Sequence, residues 1–148
     1  MKHELVARAE AIVAKKASAG NDGYCAVTAI DENGYPSSST ISISKADGIR
    51  WLTFATELDS NRVKRMKKCD RVCVCINSAE YHISLVGTVE IITDRQAKLD
   101  AWYDGLEAFY SGVDDSNFCV LHFTTERYNL YFTSGETGSG VLSKEGKQ

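Results

Sequence analysis

Long apolar runs are missing from this chain. No stretch approaches the roughly 20 residues that a membrane-spanning helix needs, and the N-terminal segment lacks the apolar core of a signal peptide. MKHELVARAEAIVAKK is amphipathic instead, and its acidic residues argue against a transit peptide. A cytoplasmic protein without membrane contact is therefore expected. CxxC pairs and histidine clusters are also absent, so no metal site is expected. The three histidines, His3, His82 and His122, form no nucleophile motif with a serine. GETGSG at 135–140 is glycine-rich, but no GK[ST] follows and no strand-to-helix context surrounds it, which removes a phosphate loop. Proline occurs once, at Pro36, and neither an internal repeat nor a domain linker is visible.

What is present fits one globular domain: 148 residues, 43% of them hydrophobic and 25% charged. Five cysteines are an odd count. Cys73 and Cys75 alternate within RVCVCIN and share one face of a strand, where they are expected as buried or half-buried thiols. The net charge is −3, yet six of the 17 basic residues crowd into positions 62–71. Such a run can engage nucleic-acid phosphates. Here no aromatics interleave the charges and the remaining surface is acidic, so no nucleic-acid partner is expected.

Hydrophobic periodicity sets the order of elements. Leu5, Ala9, Ile12 and Val13 make a helical stripe within 3–19, stopped by Gly20. Strand patterns follow at 24–30, 37–44 and 49–56, joined by short glycine-containing turns, as in an antiparallel meander. A basic helix, NRVKRMKK, comes next, with Val63 and Met66 facing inward. Strands are then expected at 71–77 and 81–93, the second broken by Gly87 in the manner of a bulge. A helix over 94–110 is capped by Asp94 and has Leu99, Trp102, Leu106 and Phe109 on its inner face. Strands at 118–124 and 127–133 finish the core, and 135–148 reads as a flexible C-terminal tail. The fold class is mainly β with α: a split β-barrel of about six to seven antiparallel strands with flanking helices, occupying 1–134.

The basic segment opens with a helix start, LDSN, at which Asp59 or Ser60 can cap the orphan amides. Free amides, a positive helix end and Arg62 on the first turn make an anion site. The helix end contributes about 0.3–1 kcal/mol and a charge-assisted bond to phosphate about 1.5–3, so Arg62 matters more than the helix. A solvated basic face is the other reading of the same residues.

AVTAIDENGYPSSSTISIS, IRWLTFATELDSNRVKRMKK and YHISLVGTVEIITD, taken in that order, resemble the split-barrel flavin-binding family that includes pyridoxamine 5′-phosphate oxidase, and its short, general-stress-protein-like members above all. The resemblance spans about residues 24–132. It implies an FMN-binding homodimer, with the cofactor between subunits, that acts as an oxidoreductase on a small-molecule substrate. It also leaves open a non-catalytic flavin carrier, another flavin such as a deazaflavin, or haem.

The family's phosphate segment is similar to Thr56 through Ser60, Asn61 and Arg62. Ser60 and Arg62 carry over as phosphate ligands, whereas Asn61 stands where the family has arginine. Arg65, one turn on, is positioned to compensate. Ser39 occupies another usually basic position, and Ser39, Thr40 and Ser42 offer hydroxyls to the cofactor. His82 takes the place of a ring-contacting glutamine, and Glu90 and Tyr131 are weaker candidates. Neither a general acid–base pair nor the C-terminal Arg/His signature of true pyridoxamine-phosphate oxidases is recognised.

Overall fold

The computed structural model describes residues 2–142 of the chain. Helix α1 (Lys2–Ala17) leads through a 3₁₀ turn at Gly20–Asp22 into β1 (Tyr24–Ile30), β2 (Pro36–Asp47) and β3 (Trp51–Glu57). Helix α2 (Asn61–Lys68), β4 (Arg71–Asn77), β5 (Tyr81–Ile92), α3 (Arg95–Ala101), β6 (Phe118–Phe132) and β7 (Thr137–Val141) complete the described order. The sheet runs β3-β2-β1-β4-β5-β6-β7, every pair antiparallel, and β3 also pairs with β6. That last pairing closes a six-stranded barrel, with β7 added outside the ring. Closure removes the free strand edges that an open meander would expose.

Alternation fills the barrel. In β1 and β4 every second residue is buried, and Ile43, Leu52, Phe54, Val74, Ile83, Leu85, Leu121 and Phe123 meet inside. Each such side chain contributes about 1.5–3 kcal/mol by leaving water. Helix α1 lays Leu5, Ala9 and Val13 against this core, the stripe its spacing implies. The outward row is different in kind: Thr40, Ala26, Cys75 and Ser84 stand side by side across β2, β1, β4 and β5. All five cysteines are free thiols, buried at Cys25 and Cys119 and half-buried at Cys69, Cys73 and Cys75.

Two glycines shape the frame. At Gly87 an added Cβ would lie 1.9 Å from the Thr124 carbonyl oxygen. Opposite it, β6 inserts Glu126, so that Val86 pairs with Arg127 and Gly87 with Thr125. This bulge bends the strand pair and corrects the expectation of separate strands at 118–124 and 127–133. Thr125 and Glu126 fall between the two expected strands; in the fold the extra residue is absorbed without a break. Thr125 is buried there and its hydroxyl donates to the Ile49 carbonyl.

Gly105, at φ +115°, accounts for a second correction. The helix expected over 94–110 ends at Trp102, and the chain turns through Gly105 into a 3₁₀ turn at Leu106–Ala108. Asp94 does cap α3, accepting from Ala97 N–H at 3.0 Å. Trp102 packs edge-on against Phe118 and Leu106 is buried, but Leu99 and Phe109 are exposed, and α3 buries Lys98 and Ala101 instead. The expected tail is also revised, since 137–141 pairs with β6 as β7. Positions 143–148 lie outside the described residues. Among the described residues no helix is long and apolar enough to cross a membrane.

Candidate functional site

Helix α2 matches its expected span residue for residue. Ser60, extended at φ −71° and ψ 155°, accepts from Val63 N–H at 3.2 Å and so starts the helix. Val63 and Met66 are buried, which orients the helix and turns Arg62 along the barrel wall toward β2 and β3. The Arg62 guanidinium is held entirely by neutral oxygens. Its Nε and Nη2 donate to Ser39 Oγ at 3.1 and 3.0 Å, Nη1 to Thr56 Oγ1 at 2.8 Å, and Nη2 to the Thr40 carbonyl at 3.0 Å. Burial lowers the Arg62 pKa from its ordinary value, while nearby Glu57 acts in the opposite direction. The group remains a cation.

Arg62 lines a cavity of about 350 Å³. Thr40, Ser42 and Thr56 supply hydroxyls to its wall, and Tyr24, Tyr103, Phe109 and Tyr110 supply rings. Glu57 also faces the cavity and accepts from the Tyr110 hydroxyl at 2.5 Å. Burial, followed by that carboxylate, pushes the Tyr110 pKa well above the ordinary tyrosine value. At the other end Asn21 accepts from Tyr103 at 2.9 Å and donates to the Gly105 carbonyl at 3.1 Å, tying the 3₁₀ turn before β1 to the loop after α3. Burial raises Tyr103 as well. The Cys25 thiol is pushed up to about 12 by burial, so it stays protonated and is not a nucleophile.

Ser39, Thr40, Thr56 and Arg62 are thus brought together, with Ser60 at the base of the same helix. Asn61 is exposed on the first turn, and its side chain makes no hydrogen bond among the described residues. Arg65 turns elsewhere, donating to Glu32 at 3.2 and 3.4 Å and to Ser37 at 3.4 Å. His82 is distant within one chain. It lies on β5, three strands from β2 and roughly 14 Å away at about 4.8 Å per strand. Its Nδ1 meets Asn77 Oδ1 at 2.5 Å and the Cys75 sulfur at 4.0 Å. Glu57, Tyr103, Phe109 and Tyr110 are cavity residues that pattern reading did not place in the site, Phe109 having been expected in a helix core. The signal available for the last three was Gly105, which turns the chain after the helix end so that the flanking aromatics reach the cavity. Among the described residues no cluster of His, Cys, Asp and Glu could hold a metal.

Comparison with known proteins places this geometry. The family model for pyridoxamine 5′-phosphate oxidase matches residues 13–132. A search of curated proteins finds no match. Among solved structures, a Clostridium acetobutylicum protein related to general stress protein 26 of Bacillus subtilis superposes with a TM-score of 0.82 at 27% identity, over 96% of this chain and 97% of that one. A pyridoxamine 5′-phosphate oxidase-related, FMN-binding protein of Nostoc punctiforme gives 0.60 at 14% identity, over 90% and 94%. A haem-binding protein of Mycobacterium smegmatis gives 0.67 at 18%, over 90% of this chain but 57% of its own. The last two likenesses concern the fold.

Proposed function

Because this chain belongs to the pyridoxamine 5′-phosphate oxidase family, we propose that it is an FMN-binding oxidoreductase for a small molecule, with Arg62 as the phosphate anchor. The observation that carries this reading is a half-buried guanidinium without an acidic partner within 4.0 Å among the described residues, set at a helix start and facing a cavity. Neutral hydroxyls hold it in place, and Glu57 acts on its charge only from beyond ion-pair distance. Arg62, with the Ser39 and Thr56 hydroxyls beside it, would hold the phosphate, since a hydroxyl can donate as well as accept. The residues present therefore fit a phosphate, although Glu57 in the cavity wall opposes a second negative charge.

A bound flavin supplies the electron and hydride chemistry; the chain's residues bind and orient it. Thr40 and Ser42 offer hydroxyls along the ribityl path, and Tyr24 and Phe109, both more than half exposed, offer flat surfaces to a ring. Neither Tyr103 nor Tyr110 exchanges protons near neutral pH, since both are held above the ordinary tyrosine range.

At about 350 Å³ the cavity is at the small end of ligand sites, roughly 300–1,000 Å³. A second copy of the chain completes it in this reading, through the largely uncharged outer face of β1, β2, β4 and β5, and brings a partner's His82 toward the ring. The whole acts as a cytoplasmic homodimer. The visible spectrum of protein purified without added cofactor is the test. A flavin band that survives dialysis supports the reading, whereas a colourless protein that fails to take up FMN overturns it. Turnover with a nicotinamide donor separates an oxidoreductase from a flavin carrier.

A further inference from the structure

A second cavity, of about 250 Å³, opens between α3 and the outer face of β3 and β6. A small apolar cluster separates it from the Arg62 cavity: Leu106, Tyr110, Phe118 and Val120 pack there against Ala55. Its floor is aromatic. The Trp51 indole and His122 imidazole lie 5.2 Å apart between centroids, inclined at 30°. Ile92, Val120, Ala97 and Ala101 form the apolar sides.

Strand register adds a polar edge. Lys45, Thr53, His122 and Glu90 stand in one row across β2, β3, β6 and β5. Lys45 has no carboxylate within ion-pair distance, and the half-buried His122 ring makes no hydrogen bond, among the described residues. Burial lowers the His122 pKa, against the pull of Glu90, which favours a neutral ring able to stack and to donate one N–H. Thr53 is buried, and its hydroxyl oxygen already accepts from Lys45 N–H at 3.2 Å.

A flat aromatic floor, apolar sides and two unpartnered donors on one edge define a complementary molecule. We propose that this cavity is a second small-molecule site, for a single-ring aromatic monocarboxylate. The ring lies on Trp51 and His122, and the carboxylate accepts from Lys45 Nζ and the His122 N–H. Asp100, on the α3 rim and already accepting from Gln96 at 2.8 Å, disfavours a second negative charge on the ligand. The volume limits it to about one ring.

Calorimetric titration of the full chain with benzoate tests the site. Saturable binding with a Kd on the order of 1 mM is expected for so small a ligand. Benzyl alcohol, without the charge, and cyclohexanecarboxylate, without the aromatic face, should each bind several-fold more weakly. Lys45→Gln, at an exposed position that leaves the fold intact, should weaken benzoate about fivefold. Trp51→Leu should weaken it comparably, and Trp51→Phe should retain most of it while guarding against a folding artefact. Arg62→Ala should leave benzoate binding unchanged whatever it does to flavin. Absence of saturation, indifference to Lys45→Gln, or loss of binding in Arg62→Ala would each overturn the proposal.

Discussion

Two arginines three residues apart on α2 meet opposite fates. Arg62 is drawn into the barrel wall and held by Ser39, Thr56 and the Thr40 carbonyl, all uncharged. Arg65, half-buried as well, is matched by the Glu32 carboxylate. The helix is common to both, so the difference lies in what each side chain reaches. Strands β2 and β3 present hydroxyls to the first, and the β1–β2 turn presents an acid to the second. A cation satisfied by neutral acceptors keeps its charge for a ligand, whereas one paired with a carboxylate has already used it. Density of positive charge, the most visible feature of this segment, is therefore a poor guide to where an anion binds.

The contrast can be broken most severely at Arg62. Arg62→Ala removes a charge-assisted contact of about 1.5–3 kcal/mol and should weaken FMN about ten- to a hundredfold, measured by quenching of flavin fluorescence. The next largest change is a gain. Asn61→Arg adds a cation on the exposed first turn and should tighten FMN about tenfold in the same titration. Glu57→Gln removes the opposing carboxylate from the cavity, and FMN should tighten by a few-fold. The same substitution should lower the Tyr110 pKa toward its ordinary value, because the carboxylate is one of the causes raising it; ultraviolet titration of the phenol reads this.

Arg65→Ala should do least, changing FMN affinity less than twofold, and a larger loss would restore Arg65 to the phosphate site. Its readout is Glu32, whose pKa lies below the ordinary glutamate value chiefly through the Arg65 hydrogen bond. A depressed pKa means that the pair's small contribution is present above the ordinary glutamate range and is lost as pH falls through the folded-state value. In Arg65→Ala, NMR titration should find the Glu32 pKa moved upward.

Much of this frame was legible because it rests on local rules. The α1 stripe, the Ser60 and Asp94 caps, the inward Val63 and Met66 and the Gly87 bulge all derive from periodicity and single-residue chemistry. Misreadings arose where a distant contact decided. TTER at 124–127 continues as strand because Gly87, on the neighbouring strand, leaves room for the extra residue. The helix after Asp94 stops at Trp102, which docks on Phe118, and Gly105 redirects the chain toward the cavity. Cavity residues fared likewise. Thr56 and Arg62 lie in one contiguous segment and could be recognised, while Tyr103 and Tyr110 reach the cavity only through that redirected loop. The tail was judged by composition, yet its backbone pairs with β6 whatever its side chains bury.

The central claim is that Arg62 selects for a phosphate. Paired titrations of the protein with FMN and with riboflavin, which lacks the phosphate, test it most directly when repeated on Arg62→Ala. The expected result is a preference for FMN of about ten- to a hundredfold in the natural sequence, collapsing toward equality in the variant. Equal affinities for the two flavins in the natural sequence, or a preference that survives in Arg62→Ala, would contradict it.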